Sequence, residues 1–164
     1  MSGKCETFFK YMIDDWELFQ FGAEVKHAIV AKKQTKLDVA EHCRASLVLS
    51  MKYGKQLVIN LKSTVPFLKR DYDVKGTLPL KDMVFDRPKL VENHRQLLRD
   101  GEDEDRNKNK GRYVMDPEFN IIVLSDISDP LDEDETIRMV LEQLDHHEDF
   151  RKVYIREAED ETEW

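Results

Sequence analysis

The sequence predicts an α/β fold built around a small parallel sheet. Two runs, LVINL at residues 57–61 and IIVL at 121–124, are short, apolar and rich in β-branched residues, which is typical of buried strands. Helical apolar patterns alternate with these runs along 164 residues, a length that suits one domain. We therefore expect a small, incomplete parallel sheet flanked by helices, with an amphipathic helix at the N-terminus.

The first helix is expected over residues 6–21, where large apolar side chains recur at helical spacing. Such an aromatic face packs into the core or docks in a groove of another protein. Four of its residues are our candidate partner-binding residues: Phe8, Phe9, Met12 and Trp16. A polar break at residues 32–36 follows, and we expect residues 1–36 to form an N-terminal helical arm.

An α/β domain is expected over residues 37–156. It begins with a helix at 37–53 that Gly54 can end, because glycine adopts the left-handed conformation at little cost. Asp86 and Pro88 predict the start of another helix, and Asp132 that of a helix to Leu144. The triplet at 153–155 (VYI) predicts a last short strand, and residues 100–112 (DGEDEDRNKNKGR) a mobile loop.

The charge is unevenly distributed. The whole chain has a net charge of −8, and residues 126–164 contain 15 acidic and 4 basic residues. This end, including an acidic tail at 157–164, would repel phosphates, so we do not expect a nucleic-acid partner. Apolar runs are too short for a membrane span, and no signal peptide is evident. With two cysteines and no disulfide framework, we expect an intracellular, cytoplasmic protein.

Several site motifs fail on spacing. The Gly54-Lys55 step lacks the earlier glycine and the following Ser or Thr of a phosphate loop. His146 and His147 are adjacent, so on a helix they diverge rather than share one ion, and the acids from Asp126 lack the glycine and glutamate of a calcium loop. Cys43 fits a small core residue. We therefore assign no catalytic, cofactor-binding or metal-binding residue.

Two segments together carry a family resemblance. Residues 45–61 (ASLVLSMKYGKQLVINL) give a helix, a Gly-Lys step and a strand, and residues 113–130 (YVMDPEFNIIVLSDISDP) give a second strand followed by proline. This layout resembles a dynein-heavy-chain-type AAA+ module, and it is similar to the C-terminal P-loop-like part of IQ-motif and ankyrin-repeat proteins. The resemblance covers about half the chain and implies an AAA+/P-loop-like fold.

The departures from that family indicate a degenerate module. The Walker B-like strand runs through Asn60 into Lys62, where an acidic pair would hold magnesium. We find no first strand and no phosphate loop in residues 1–36, so the chain would be a degenerate module or a shortened form. In dynein-type proteins the non-hydrolysing modules are structural spacers, and a cytoskeletal or ciliary setting is what this resemblance implies.

The sequence leaves three functions open. The first is a non-catalytic α/β interaction or structural module, with a protein partner and no cofactor. The second is a helical adaptor that binds a partner through the aromatic N-terminal helix, which requires Phe8, Phe9, Met12 and Trp16 to be exposed. The third is a nucleotide-binding enzyme with an unrecognised site, which requires a pocket lined by convergent polar groups.

Overall fold

The computed structural model describes residues 2–11, 15–127 and 133–155. Its helices are α1 (Ser2–Tyr11), α2 (Phe21–Ile29), α3 (Lys36–Tyr53), α4 (Arg87–Asn93) and α5 (Glu133–Glu142). Its strands are β1 (Trp16–Phe19), β2 (Gln56–Lys62) and β3 (Asn120–Ser125). Short π-helical turns lie at Leu68–Tyr72 and Leu80–Val84, and 3-10 turns at His94–Leu97 and His147–Asp149. The predicted α/β class is confirmed.

The three strands form one parallel sheet in the order β1-β2-β3. Leu18 lies opposite Val58 in the first pair, and Val58 lies opposite Ile122 in the second. Parallel neighbours need long crossovers, and here helices occupy both of them. The two runs predicted as strands, 57–61 and 121–124, lie in β2 and β3, and these two strands pair with each other.

The predicted helix over residues 6–21 is wrong. The structure describes a helix at Ser2–Tyr11, and Trp16–Phe19 forms β1, which is a first strand within residues 1–36. Described residues of the expected 1–36 arm belong to the sheet and to the core, because β1 pairs with β2 and Phe21 and Val25 of α2 lie in the core cluster. Pairing with β2, a partner 40 residues away, overrides the helical spacing of the apolar residues.

The core lies on one side of the sheet, which we call the first face. Phe19, Leu57, Ile59 and Leu61 point to this side and belong to one apolar cluster with the buried residues of α2, α3 and the β2–β3 connection. Ile121 and Val123 pack against the same cluster from β3. Alternation along each strand then places the intervening side chains on the opposite side, the second face.

The predicted caps at Gly54 and Asp86 are present, and the predicted cap Asp132 lies outside the described residues. Thr35 and Asp38 form a reciprocal capping box at the start of α3, and Gly54 ends that helix in the left-handed conformation with φ +69°. Asp86 caps α4 by accepting a hydrogen bond from the backbone N–H of Lys89 at 3.1 Å. These caps fix the ends of the helices on the first face.

A buried arginine attaches the segment predicted as a mobile loop. Arg44 of α3 is 2% exposed and binds both carboxylate oxygens of Glu102, at 2.7 and 2.9 Å. It also donates to Glu41 at 2.8 Å and to the carbonyl oxygen of Leu97 at 2.7 Å. Within the segment, Asp105 accepts hydrogen bonds from the backbone N–H of Asn109 and from its side chain. Residues 100–112 therefore have specific contacts, and their mobility remains a prediction.

The two carboxylates in this arginine cluster stay ionised. Burial raises the pKa of Glu102, but hydrogen bonds from Arg44 and from the backbone N–H of Arg99 outweigh it, so the pKa is below the ordinary value of 4.5. Burial likewise raises the pKa of Glu41, and hydrogen bonds from Arg44 and Arg99 bring it below the same value. The guanidinium of Arg44 is thus paired with charged partners at neutral pH.

The last predicted strand is not formed. Residues 151–155 have no regular secondary structure, and Val153, Tyr154 and Ile155 are mostly exposed. Three β-branched or aromatic residues satisfy a strand pattern, but a strand also needs a neighbour to pair with, and none lies beside them in the described ranges.

Among those same ranges, none of the helices combines the length and apolar character that crossing a membrane requires.

Candidate functional site

The second face of the sheet is the candidate functional surface. The alternate side chains of the three strands point to it, and they are mostly apolar: Trp16, Leu18, Val58, Asn60, Ile122 and Leu124. Val58 on the central strand is fully buried, whereas Ile122 and Leu124 on β3 are partly exposed. Neither of the two β3 residues packs against the core cluster. The cover of this face is therefore complete over the central strand and only partial over β1 and β3.

Helix α1 covers the β1 side of this face. The rings of Phe9 and Trp16 pack edge to face with centroids 4.9 Å apart, and Phe8 contacts both rings at 5.3 and 6.2 Å. Phe8 is still 53% exposed, and Tyr11 is 83% exposed. Trp16 Nε1 is buried without a hydrogen-bond partner among the described residues. An unsatisfied indole N–H costs about 1–3 kcal/mol, which weakens the contact between α1 and the sheet.

A chain of polar side chains attaches α1 to the carboxyl ends of β1 and β2. Glu6 of α1 is buried and accepts hydrogen bonds from Lys62 Nζ and, at 2.9 Å, from Gln20 Nε2. Asn60 Nδ2 donates to Gln20 Oε1 at 3.2 Å, and Asn60 Oδ1 accepts from the backbone N–H of Lys62 at 3.0 Å. The polar groups at this edge thus satisfy one another and hold the helix in place.

The outer edge of β3 is open within the described part of the chain. β3 pairs with β2 on one side, and no described strand pairs with its other side. An unpaired edge presents a row of backbone N–H and C=O groups that can bind another strand. Because Ile122 and Leu124 are partly exposed beside this edge, apolar and hydrogen-bonding surface are contiguous there.

The four predicted partner-binding residues do not form one helical stripe. Phe8 and Phe9 lie on α1, and Trp16 lies on β1, although the three rings do meet on the second face. Phe8 is exposed, whereas Phe9 and Trp16 are about half-buried, and Met12 lies outside the described residues. None of the three packs in the core cluster that holds Leu47 and Met51.

Sequence reasoning missed the β3 part of this surface. Ile122 and Leu124 belong to the run used to predict the strand, but the run is apolar at every position and does not reveal which face stays open. Glu6 and Lys62 were missed as well, because they are 56 residues apart and nothing in their spacing indicates a pair.

The β1–α2 junction has little room for a phosphate group. Gln20 alone separates β1 from α2, and its carbonyl oxygen already accepts from the N–H groups of Ala23 and Glu24 at 3.0 Å. A Cβ on Gly22 would lie 2.2 Å from the carbonyl oxygen of Leu61. The helix therefore starts directly against the end of β2, whereas a phosphate loop needs several residues between strand and helix.

The described residues offer little for a metal site or for a small-molecule pocket. No group of three potential metal-ligating side chains occurs in the residues that the structure describes. An open depression of about 250 Å³ lies between the Leu80–Val84 turn and α4, and Asp82 is its ionisable lining residue. One carboxylate does not provide the convergent polar groups of a substrate site.

No known protein family, curated protein or solved structure matches this chain.

Proposed function

We propose that this chain is a non-catalytic protein-interaction module, and that the outer edge of β3 with the adjoining second face binds an extended segment of another protein. The observation that carries the proposal is that β3 combines an open edge with the partly exposed Ile122 and Leu124. An added strand would pair with the open edge of β3, and its side chains on the second face would lie beside Ile122 and Leu124.

The partner should be an extended segment with apolar side chains at alternate positions. Its backbone would bond to the free edge of β3, and every second side chain would lie beside Ile122 and Leu124 on the second face. Main-chain hydrogen bonds supply affinity in such complexes, and the alternate side chains supply specificity.

The dynein-type resemblance supports the same kind of role. In that family, modules that do not hydrolyse nucleotide act as spacers between other parts of an assembly, and Asn60 and Lys62 stand where acidic residues would hold magnesium. The one-residue β1–α2 junction also supports a role without nucleotide. By this resemblance we place the chain in the cytoplasm, with the cytoskeleton or the cilium as its setting.

A helical adaptor is the second candidate, and the exposure of Phe8 and Tyr11 favours it. In that case α1 itself would be the contact surface, and β3 would play no part. A nucleotide-binding enzyme is the third, and no group of polar side chains in the described residues favours it. The first two can be separated by the position at which a partner touches the chain.

Site-specific photocrosslinking in cells tests the proposal. A photoreactive phenylalanine analogue is placed at Asn120, the exposed first residue of β3, and in a second variant at Leu124. Both variants should crosslink to the same protein. The matched control is Val114, an aliphatic residue that is 70% exposed and lies outside the sheet.

The outcomes distinguish the candidates. A shared product from both β3 positions, absent at Val114, supports the interaction surface. A fourth variant carries the analogue at Phe8, and a crosslinked product there without one from either β3 position overturns the proposal in favour of the adaptor. Equal labelling at Val114 overturns it as well, because the contacts would then be unspecific.

A further inference from the structure

The connection between α2 and α3 carries a second surface of unusual chemistry, which we call the α2–α3 tip and define as residues 26–37 (KHAIVAKKQTKL). It contains four lysines and no acidic residue. Three of its aliphatic side chains are mostly in solvent: Ile29 is 58% exposed, Val30 78% and Leu37 54%. The tip is thus both positive and apolar on a chain whose net charge is −8.

Three of the four lysines are available to an external ligand. Lys36 pairs with Asp71 at 2.9 Å. Lys26, Lys32 and Lys33 are exposed and make no ion pair with any described residue. We call these three the tip lysines. Exposed ammonium groups beside aliphatic side chains favour a ligand that offers carboxylates and apolar groups together.

The acidic residues beside the tip are engaged in its internal bonds. Glu24 accepts from Gln34 Nε2 at 2.6 Å and lies 3.4 Å from His42 Nδ1. Asp38 accepts from the backbone N–H of Thr35 at 2.7 Å, which lowers the pKa of Asp38. These bonds hold the turn in one shape, so a ligand meets a surface that is already formed.

We infer that the α2–α3 tip binds an acidic segment of another protein, one in which aliphatic side chains alternate with carboxylates. The inference does not rest on the function proposed for β3, because it uses a different surface. The aliphatic side chains give no reason for a nucleic-acid ligand, since phosphates do not bind them. The tip has no Trp or Tyr of the kind enriched at membrane interfaces, and the net charge of −8 opposes an anionic lipid surface.

A peptide probe tests the inference on the intact chain. The probe is a fluorescein-labelled twelve-residue peptide of glutamates interspersed with leucines, and binding is followed by fluorescence polarisation at low salt. We expect a dissociation constant of tens of micromolar order. Reversal of the tip lysines (K26E/K32E/K33E) should weaken binding by roughly tenfold or more, and higher salt should weaken it too. Val30→Ser should weaken binding by about threefold through lost apolar contact.

The matched control reverses three other exposed lysines, K75E/K108E/K110E, and changes the net charge of the chain by the same amount. The inference predicts that this control binds the probe nearly as well as the unmodified chain. Equal weakening by both triple variants would overturn it, since net charge alone would then explain binding. Absence of binding at millimolar peptide would overturn it too.

Three further probes distinguish the acidic segment from other ligands that the tip could bind. Vesicles of phosphatidylcholine with phosphatidylserine and a single-stranded RNA should bind more weakly than the peptide, and stronger binding by either would contradict the inference. A peptide that copies residues 157–164 presents the acidic tail of this chain. If only that peptide binds, the ligand of the tip is the acidic tail of this chain or of a second copy. That result would overturn the inference that the tip binds another protein.

Discussion

The pairing of Arg44 with Glu102 should make Glu102→Gln one of the most damaging single-charge changes in the chain. Arg44 is 2% exposed, and Glu102 supplies two of its short hydrogen bonds, at 2.7 and 2.9 Å. Glu102 also accepts from the backbone N–H of Arg99 at 2.7 Å. Glutamine keeps one acceptor oxygen and removes the charge, so a buried guanidinium loses half of its ionic partners.

The expected cost follows from what remains around Arg44. Removing one partner of a fully buried ion pair costs about 3–5 kcal/mol. Glu41 and the carbonyl oxygen of Leu97 stay in place, and glutamine retains one bond, so we expect about 2–3 kcal/mol. With a urea dependence of about 2 kcal/mol per molar for a domain of this size, the midpoint should fall by about 1–1.5 M.

Urea unfolding followed by circular dichroism measures this change. The control is Glu142→Gln, which removes the same charge from an exposed pair with Arg138 and should cost at most about 0.5 kcal/mol. A Glu102→Gln midpoint within the error of the Glu142→Gln midpoint would refute the reasoning. It would mean that water reaches Arg44 and that residues 100–112 are not held by it.

The pH dependence gives an independent check on the same pair. The pKa of Glu102 and that of Glu41 are lower in the folded chain than their ordinary value of 4.5. A lowered carboxyl pKa stabilises the fold at pH values above the unfolded pKa, and this contribution is lost as the pH falls below it. The difference between the unmodified chain and Glu102→Gln should therefore be full at pH 7 and shrink below about pH 4.5.

Three further changes test other parts of the fold. Gly22→Ala should destabilise the fold by about 2 kcal/mol in urea unfolding, because the new Cβ would clash with the carbonyl oxygen of Leu61 and this clash exceeds the ~1 kcal/mol helix preference of alanine. An unchanged unfolding midpoint would contradict the close approach of Gly22 to Leu61. Burial raises the pKa of the Cys43 thiol to about 12, so a thiol reagent should label Cys5 in the folded chain and Cys43 only after unfolding. Fast labelling of both thiols in the folded chain would contradict the burial of Cys43. Hydrogen bonds from Arg70 and then Lys36 hold the pKa of Asp71 at about 2. Asp71→Asn should therefore lower the free energy of unfolding by about 1 kcal/mol at pH 7 and by progressively less between pH 4 and pH 2, and an undiminished loss at pH 2 would exclude this pairing.

The sequence predicted those parts of the fold that local chemistry determines. Gly54 ends α3 in the left-handed conformation, and Asp86 caps α4, because capping depends on residues within one helical turn. β2 and β3 were predicted because each is a continuous apolar run of β-branched residues, which is the pattern of a strand covered on both faces.

Contacts between distant residues could not be predicted in the same way. The residues of β1 matched a helical repeat as well as a strand, and pairing with β2 decided between them. Residues 153–155 had the composition of a strand but found no neighbour. The Arg44–Glu102 pair joins a helix to a segment of low complexity 58 residues away, so composition alone suggested only a mobile loop.

The candidate surface was only partly predicted for the same reason. Phe8, Phe9 and Trp16 were selected as aromatic residues, and their rings do meet, but Ile122 and Leu124 were not selected. Which face of a strand stays open depends on how many helices pack on each side of the sheet, and that is a property of the whole fold.

Calorimetric titration of the purified chain with ATP and ADP, with and without magnesium, tests most directly whether it works through protein contacts rather than through a nucleotide. The short β1–α2 junction and the contact of Gly22 with Leu61 predict no heat of binding at high-micromolar protein. Micromolar binding that requires magnesium would contradict a non-catalytic module, because it would require a phosphate site at a place where helix and strand are in direct contact.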